Sequence, residues 1–402
     1  VTDTAHGAVR LPTQRPSAFD PPAELSELRE KCPITRMEFP DGHLGWLVTD
    51  HASVRSLLAD PRFSARQELH HHAPFDHPFG KEPIQPAEPG FFIGMDDPEH
   101  SRYRRLVAGQ FTKRRIAQLA PRVEEIAESC LDAMERKGTR EADLVAEYAQ
   151  PIPARVICEL LGVPLTDEER FQGAIRQFFH LSSSAQESRD AYLAILRYLA
   201  ELVTRKRDDP GDDLLSGLIA RGELDDRELA TISLLLLVAG YETTANMISL
   251  GAFALLTHPD QLALVREDEA VAENAVEELL RYLPLFRSGG MRTALQDTEV
   301  KGQQVKAGEC LVLSLSAANR DPARFGEDAD RLNVRRTATG HVAFGHGAHQ
   351  CLGSQLARLE MRIAYTSLLR RFPSLRLAVP PQDVPLRDDM TIHGAHRLPI
   401  TW

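Results

Sequence analysis

The longest strongly apolar run in the chain, Ile232 to Gly240, lies within a pattern that predicts one long helix. Asp225, with Glu228 three residues later, has the form of a capping box, in which each side chain satisfies the other residue's backbone N–H. Apolar positions continue to about Leu256, and His258-Pro259 closes the helix. At 1.5 Å per residue it is roughly 46 Å long, enough to cross a whole domain. Helical periodicity runs from Pro98 to about Tyr282, broken at Pro151, Pro153, Pro164, Pro210, Pro259 and Pro284.

Outside that block the elements shorten. Trp46 to Thr49 reads as a strand, and Ala52 to Leu58 as a short helix stopped at Asp60-Pro61. After Pro284 come β-like pieces around Met291 to Val300 and Glu309 to Leu315, then an irregular stretch to Ala343. A last helix from Leu352 to about Phe372 and short strands close the chain. Residues 1–25 lack periodicity and are expected to form an irregular arm, and Glu68 to Pro89, dense in His and Pro, a long loop. No internal repeat or low-complexity linker divides the sequence.

By length alone, 402 residues allow two or three domains. Hydrophobic residues at 43% and charged residues at 26% are ordinary globular values and exclude a disordered chain. A net charge of −11 argues against a nucleic-acid binder that works by neutralising phosphates. The run Ile232 to Gly240 is far shorter than the roughly 20 residues of a membrane span, and Val1 to Arg10 has no apolar secretory core. The expectation is a cytoplasmic, monomeric protein with no membrane or nucleic-acid partner. The triplet His70-His71-His72 with His77 has no Cys or acidic ligands at fixed spacing, and reads as a solvated loop rather than a metal site.

Five cysteines, Cys32, Cys130, Cys158, Cys310 and Cys351, are widely spaced without a CxxC pair, so no disulfide framework is expected. Cys351 differs from the others in its neighbours. It ends the stretch Phe344-Gly345-His346-Gly347-Ala348-His349-Gln350-Cys351 and is followed by Leu352-Gly353. Gly345 and Gly347 permit a tight turn, Gly353 removes a side chain where something flat must approach, and a helix N-terminus favours a thiolate. On the loop alone, an incidental buried thiol is the other reading. The order Phe-Gly-x-Gly-x-His-x-Cys-x-Gly resembles the haem-binding loop of cytochromes P450 at every defining position. That resemblance implies that Cys351 is the axial thiolate ligand of a haem b iron, with Phe344, Gly345 and Gly353 shaping the loop against the macrocycle.

Three further segments are similar to family signatures and fall in the family's order. Ala239-Gly240-Tyr241-Glu242-Thr243-Thr244 sets an acid and two hydroxyls in an apolar helix, where Thr can bond back to the carbonyl four residues earlier. It resembles the oxygen-binding groove, and by match Glu242 and Thr243 form the catalytic acid-alcohol pair that relays protons. Glu278 and Arg281 lie three apart on one helical face. Their spacing alone fits a solvated pair, whereas the resemblance implies a buried structural pair anchoring the stretch near Arg331. Asp97 to Arg105 opens with an acid that can cap a helix and Pro98 at its first position. Here His100 and Arg104, joined by Arg292 and His349, match the family's contacts to haem propionates.

The resemblance runs from about Cys32 to Trp402 and is strongest to soluble actinobacterial members. It implies one mainly α domain over residues 1–402 with a small β region and the long helix lying over the haem. The implied reaction is monooxygenation: hydroxylation or epoxidation of a fairly bulky hydrophobic small molecule such as a macrolide or polyketide, a terpenoid or steroid, or a xenobiotic. It would use O2 and NAD(P)H electrons brought by a ferredoxin and ferredoxin reductase. Phe92, Ile93, Ala239, Leu285, Ser288, Gly290, Met390 and Ile392 are the expected pocket residues, the small Ser288 and Gly290 making it roomy. Lys113, Arg114, Arg115 and Arg358 are candidates for a basic ferredoxin-docking patch. A peroxide-using haem-thiolate enzyme and a haem-based ligand sensor without turnover are the competing readings.

Overall fold

A computed structural model describes residues 7–70, 74 and 84–402. His71, His72 and His77 lie outside the described residues. The helices that position the site are α1 Ala23–Lys31, α2 His51–Ala59, α3 Glu99–Ala108, α4 Ala120–Arg136, α5 Pro151–Leu161, α6 Glu168–Phe179, α7 Ala185–Asp208, α8 Asp226–Thr257, α9 Glu269–Tyr282 and α10 Ser354–Arg371.

α8 is the axis of the molecule. Its capping box is formed: Glu228 N donates to Asp225 Oδ1 at 2.8 Å and Asp225 N to Glu228 Oε2 at 2.9 Å. The other Glu228 oxygen accepts from Arg102 Nη1 and Tyr103 Oη of α3, both at 2.7 Å, so the start of α8 also docks α3. α8 is apolar on every side because α5, α7 and α10 pack around it. Leu229, Ile232, Leu237 and Leu250 are fully buried (0% exposed), and truncating any one to Ala costs about 2–5 kcal/mol. It is the helix long and apolar enough to cross a membrane, but 78% of its most apolar window is buried in the body.

The main sheet comprises β1 Ile34–Glu38, β2 Leu44–Val48, β3 Phe63–Ser64, β4 Gly290–Ala294 and β5 Cys310–Leu313, ordered β1-β2-β5-β4-β3. β2 and β5 run parallel and the other pairs antiparallel. A three-stranded sheet joins 141–143, 376–377 and 399–401.

The structure shifts several expected boundaries. α1 starts inside the expected irregular arm, and Val9 within the arm pairs with Met37 of β1. The last helix begins at Ser354 rather than Leu352, because Cys351 N donates back to Phe344 O at 2.8 Å and holds the chain in the loop. Asp97 is not the residue adjoining the first helical turn. Pro98 precedes Glu99 without a side-chain cap, while Asp97 Oδ1 accepts from Ser101 N at 3.1 Å, one turn in.

Candidate functional site

Cys351 stands at the end of a tightly turned loop. Gly345 and Gly347 have φ of +67° and +75°, and a Cβ on Gly347 would lie 2.7 Å from Ala59 Cα, so glycine lets the loop press against the end of α2. The Cys351 side chain is exposed, but to an interior space, since protein surrounds the sulfur closely enough for burial to raise the thiol's pKa. A bond from the Gly353 N–H and the charges of Arg104 and Arg358 act in the opposite direction. A Cβ added to Gly353 would meet no protein atom within 4 Å, which leaves a flat approach beside the sulfur.

The back of the loop is braced by α9. Arg358 donates from Nε to Glu277 Oε1 at 2.5 Å and from Nη2 to Glu277 Oε2 at 3.0 Å, while its guanidinium lies 4.6 Å from the Phe344 ring centroid. His341 Nε2 meets Glu277 Oε2 at 3.2 Å. Arg358 is thus engaged by Glu277 and Phe344 while keeping 28% of its side chain exposed, in a surface groove shared with Lys113; Lys113, Arg114 and Arg115 are exposed.

One residue along α9, Glu278 and Arg281 are fully buried. Arg281 donates from Nε and Nη2 to the two carboxylate oxygens at 2.7 and 2.8 Å, and to the carbonyls of Asn319, Ala329 and Arg331 at 2.8, 2.7 and 3.2 Å. Arg331 thus contributes its backbone only. The second cation on Glu278 is Arg336, whose Nε lies 3.2 Å from Oε1. Sequence spacing did not reveal it, because the pairing spans 58 residues of irregular chain.

His100, Arg104, Arg292 and His349 converge on one edge. The His100 and His349 rings are 4.1 Å apart between centroids, and Arg104 Nη2 donates to the carbonyl of Gln350 at 2.5 Å. Arg292, from β4, is buried with Nη1 on the Met291 carbonyl at 2.7 Å. Burial and the neighbouring His100 and Arg292 push His349 down to about 3, and burial likewise lowers His100, Arg104 and Arg292. Crowded groups whose cationic forms are disfavoured together call for an anion among them. His100 Nε2 is buried with no hydrogen-bond partner. Half-buried His70 joins this group: burial, then Arg292, lowers it to about 4, so it is not the solvated side chain expected from sequence.

In the middle of the molecule, α8 loses its burial for one stretch. Between buried Leu237 and buried Thr244, Ala239 is exposed and Val238, Gly240 and Thr243 are half-buried. Thr243 Oγ1 donates to the Ala239 carbonyl at 2.7 Å, the expected back-bond. Glu242 points elsewhere. It is buried, pairs with Arg387, and accepts from Asn246 Nδ2 at 3.2 Å. Arg387 carries no local sequence signal, since it belongs to a charged loop far along the chain.

The expected pocket residues fall on three segments. Phe92, buried, and Ile93, 52% exposed, form a short turn before α3, with the Phe92 ring 6.2 Å from His100. Leu285 to Gly290 runs beside Met390 to Ile392: Phe286 bridges Ile392, and His393 N donates to Leu285 O at 2.9 Å. Leu285, Ser288 and Gly290 are half-buried, Met390 and Ile392 buried, and a Cβ on Gly290 would face Leu58 at 3.6 Å.

A thiol facing an interior space, a bare glycine beside it, an orphaned imidazole nitrogen and a cluster of cationic groups at one edge fit an iron porphyrin with two carboxylates. Among the described residues no other group of His, Cys, Asp or Glu could hold a metal ion. Known proteins agree. The family model described as Cytochrome P450 matches residues 202–399. "Cytochrome P450 105C1" of a Streptomyces species is 52% identical over 99% of this chain and 100% of its own length. "Pentalenic acid synthase" of Streptomyces avermitilis is 44% identical over 98% of this chain and 97% of its own. The crystal structure of CYP105P1 in complex with filipin I superposes with a TM-score of 0.92 at 40% identity, covering 98% of this chain and 99% of that one. Full-length identity at this level, together with a thiol loop and a basic edge of the kind that haem requires, means that the chain belongs to the cytochrome P450 family of monooxygenases.

Proposed function

We propose that this enzyme inserts one atom of O2 into a fairly bulky hydrophobic small molecule, taking electrons from a ferredoxin and its reductase. P450 enzymes use haem b, with NAD(P)H electrons arriving through redox partners. Bound here, haem b supplies the activation of dioxygen and the transfer of oxygen. Cys351 would hold the iron through its sulfur, and the Gly353 N–H and the Arg104 guanidinium would limit the charge it donates. His100, Arg104, Arg292 and His349 would bind the propionates, whose negative charge would offset the burial that disfavours their cationic forms. Phe344, braced by Arg358 and accepting from Cys351 N at its carbonyl, would keep the loop in register for the haem.

On the distal side, Thr243 holds a proton at Oγ1 facing the open stretch of α8, and Glu242 supplies protons from within the body. The walls from Phe92, Leu285 to Gly290 and Met390 to Ile392 exclude water and orient the substrate. Relatives named for filipin I and pentalenic acid support a macrolide or terpenoid as the substrate class. Exposed Lys113, Arg114 and Arg115 supply the basic docking face for an acidic ferredoxin. We read residues 1–402 as one domain, since the proposed haem contacts come from α3, β4, α8 and the cysteine loop together.

The single observation that carries the reading is Cys351 on its glycine-turned loop, with its sulfur enclosed by protein beside the bare Gly353. Cys351→Ala is expected to abolish the red-shifted absorption band that a thiolate ligand gives the ferrous carbon-monoxide complex. Survival of that band would refute the ligand assignment.

A further inference from the structure

Glu242 and Thr243 are adjacent on α8, and neighbours in a helix do not face each other. The direction of the Glu242 carboxylate therefore has to be set from outside the helix. Arg387 sets it. Glu242 and Arg387 side chains are 1% and 5% exposed, and Arg387 Nη1 pairs with Glu242 Oε1. Arg387 Nη1 also donates to Asn246 Oδ1 at 2.9 Å, while Asn246 Nδ2 donates to the Glu242 carbonyl at 2.8 Å and to Oε1 at 3.2 Å.

Among the described residues, the hydrogen bond from Asn246 and the closest approach of Arg387 both fall on Oε1. The loop that brings Arg387 is held tightly to α8. Arg387 N donates to Gly394 O at 2.9 Å, and a Cβ on Gly394 would lie 1.8 Å from Asn246 Oδ1, so only glycine permits this approach. Arg387 Nε is buried without a hydrogen-bond partner, a donor left over beside the acid.

We propose that Arg387 is the positioning residue of the proton path. It anchors Glu242 through one oxygen, fixes the rotation of the carboxylate, and leaves the second oxygen to take up a proton and pass it toward Thr243. The inference rests on the reading of Glu242 and Thr243 as the relay. A loop tether with no part in proton delivery would show the same ion pair, and the two ideas separate in solution.

The experiment uses the haem-loaded enzyme with a surrogate ferredoxin and reductase, no added substrate, and NADPH as the electron source. Arg387→Gln, Arg387→Lys, Glu242→Gln and the double variant Glu242→Gln/Arg387→Gln are compared. NADPH oxidation and its solvent isotope effect in D2O are measured, and the thermal midpoint of each variant is taken separately.

Arg387→Gln is expected to slow oxidation about tenfold, a fraction of what a general acid-base group contributes, and to raise the isotope effect about twofold. Arg387→Lys should recover most of both. In the Glu242→Gln background, Arg387→Gln should add no further slowing. The midpoint should fall on the order of 5 °C in Arg387→Gln, where a buried acid loses its partner, and recover in part in the double variant. A lowered midpoint with wild-type rate and isotope effect would overturn the proposal and leave only a tether. Additive slowing in the double variant would also overturn it, because Arg387 would then act through another group. A Glu242→Gln enzyme with unchanged rate and isotope effect would instead bring down the relay reading itself, and the proposal with it.

Discussion

Two buried carboxylate-arginine pairs flank the haem site, and they are satisfied to very different degrees. Behind the cysteine loop, both oxygens of Glu278 are occupied: Arg281 takes one each with Nε and Nη2, and Asn333 N and Arg336 Nε add 2.9 and 3.2 Å contacts to Oε1. The remaining Arg281 donors reach three backbone carbonyls. On α8, Glu242 is held at Oε1 and Arg387 keeps a buried Nε without a hydrogen bond. A fully satisfied buried network has no low-cost alternative arrangement and acts as a fixed point. A partly satisfied one keeps a lone pair and a donor available, which suits a group that must exchange a proton. Burial and charge are shared by both pairs, so completeness of hydrogen bonding, rather than either of these, separates the structural pair from the one proposed to pass protons.

The largest expected effect attacks the complete pair. Arg281→Ala leaves Glu278 buried with only the Arg336 contact and a backbone N–H, and frees three carbonyls, so about 3–5 kcal/mol of stability should be lost. Urea unfolding followed by loss of the haem absorbance would measure it. A loss below about 1 kcal/mol would erase the distinction between the pairs. Smaller in stability but large in function, Thr243→Ala removes a hydroxyl whose bond within α8 is worth about 1 kcal/mol. Haem and substrate binding should persist while product formation falls roughly 100-fold and reducing equivalents appear as peroxide. Peroxide yield per NADPH reads this directly, and unchanged coupling would count against the relay.

The same contrast explains what the sequence revealed. The back-bond of Thr243 was legible because it depends on neighbours within one turn of helix, whereas the burial of Glu278 with Arg281 was implied by the family resemblance and not by their spacing. The capping box at Asp225 and Glu228 was legible for the same reason as the back-bond. Arg387 and Arg336 were not, since they reach their acids from irregular segments 141 and 58 residues away in bonds to Asn246 and Glu278 respectively. No periodicity encodes such a contact. Arg358 shows the same limit: its basic charge suggested a surface patch, while its ties to Glu277 and Phe344 across the fold left no sequence signal. Local chemistry was therefore readable, and the orientation of that chemistry by distant arginines was not.

Glu277 tests the gradation between the two pairs with the smallest effect. It adjoins Glu278 on α9 but keeps 24% of its side chain exposed, and it ties Arg358 and His341 to the cysteine loop. Burial alone would raise its pKa, yet the hydrogen bonds from His341 and Arg358 hold it down at about 2, from an ordinary 4.5. A folded-state pKa below the unfolded one means that the unfolded chain binds the proton first as pH falls. The stabilisation is thus complete above about pH 4.5 and disappears as pH falls toward 2. Solvent screening on the exposed part reduces it to about 1–2 kcal/mol. The stability difference between wild type and Glu277→Gln should therefore be constant near neutrality and shrink across that window, as read by urea midpoints at each pH. A difference that stays constant down to pH 2.5 would mean that Glu277 contributes shape rather than charge to the brace behind Cys351.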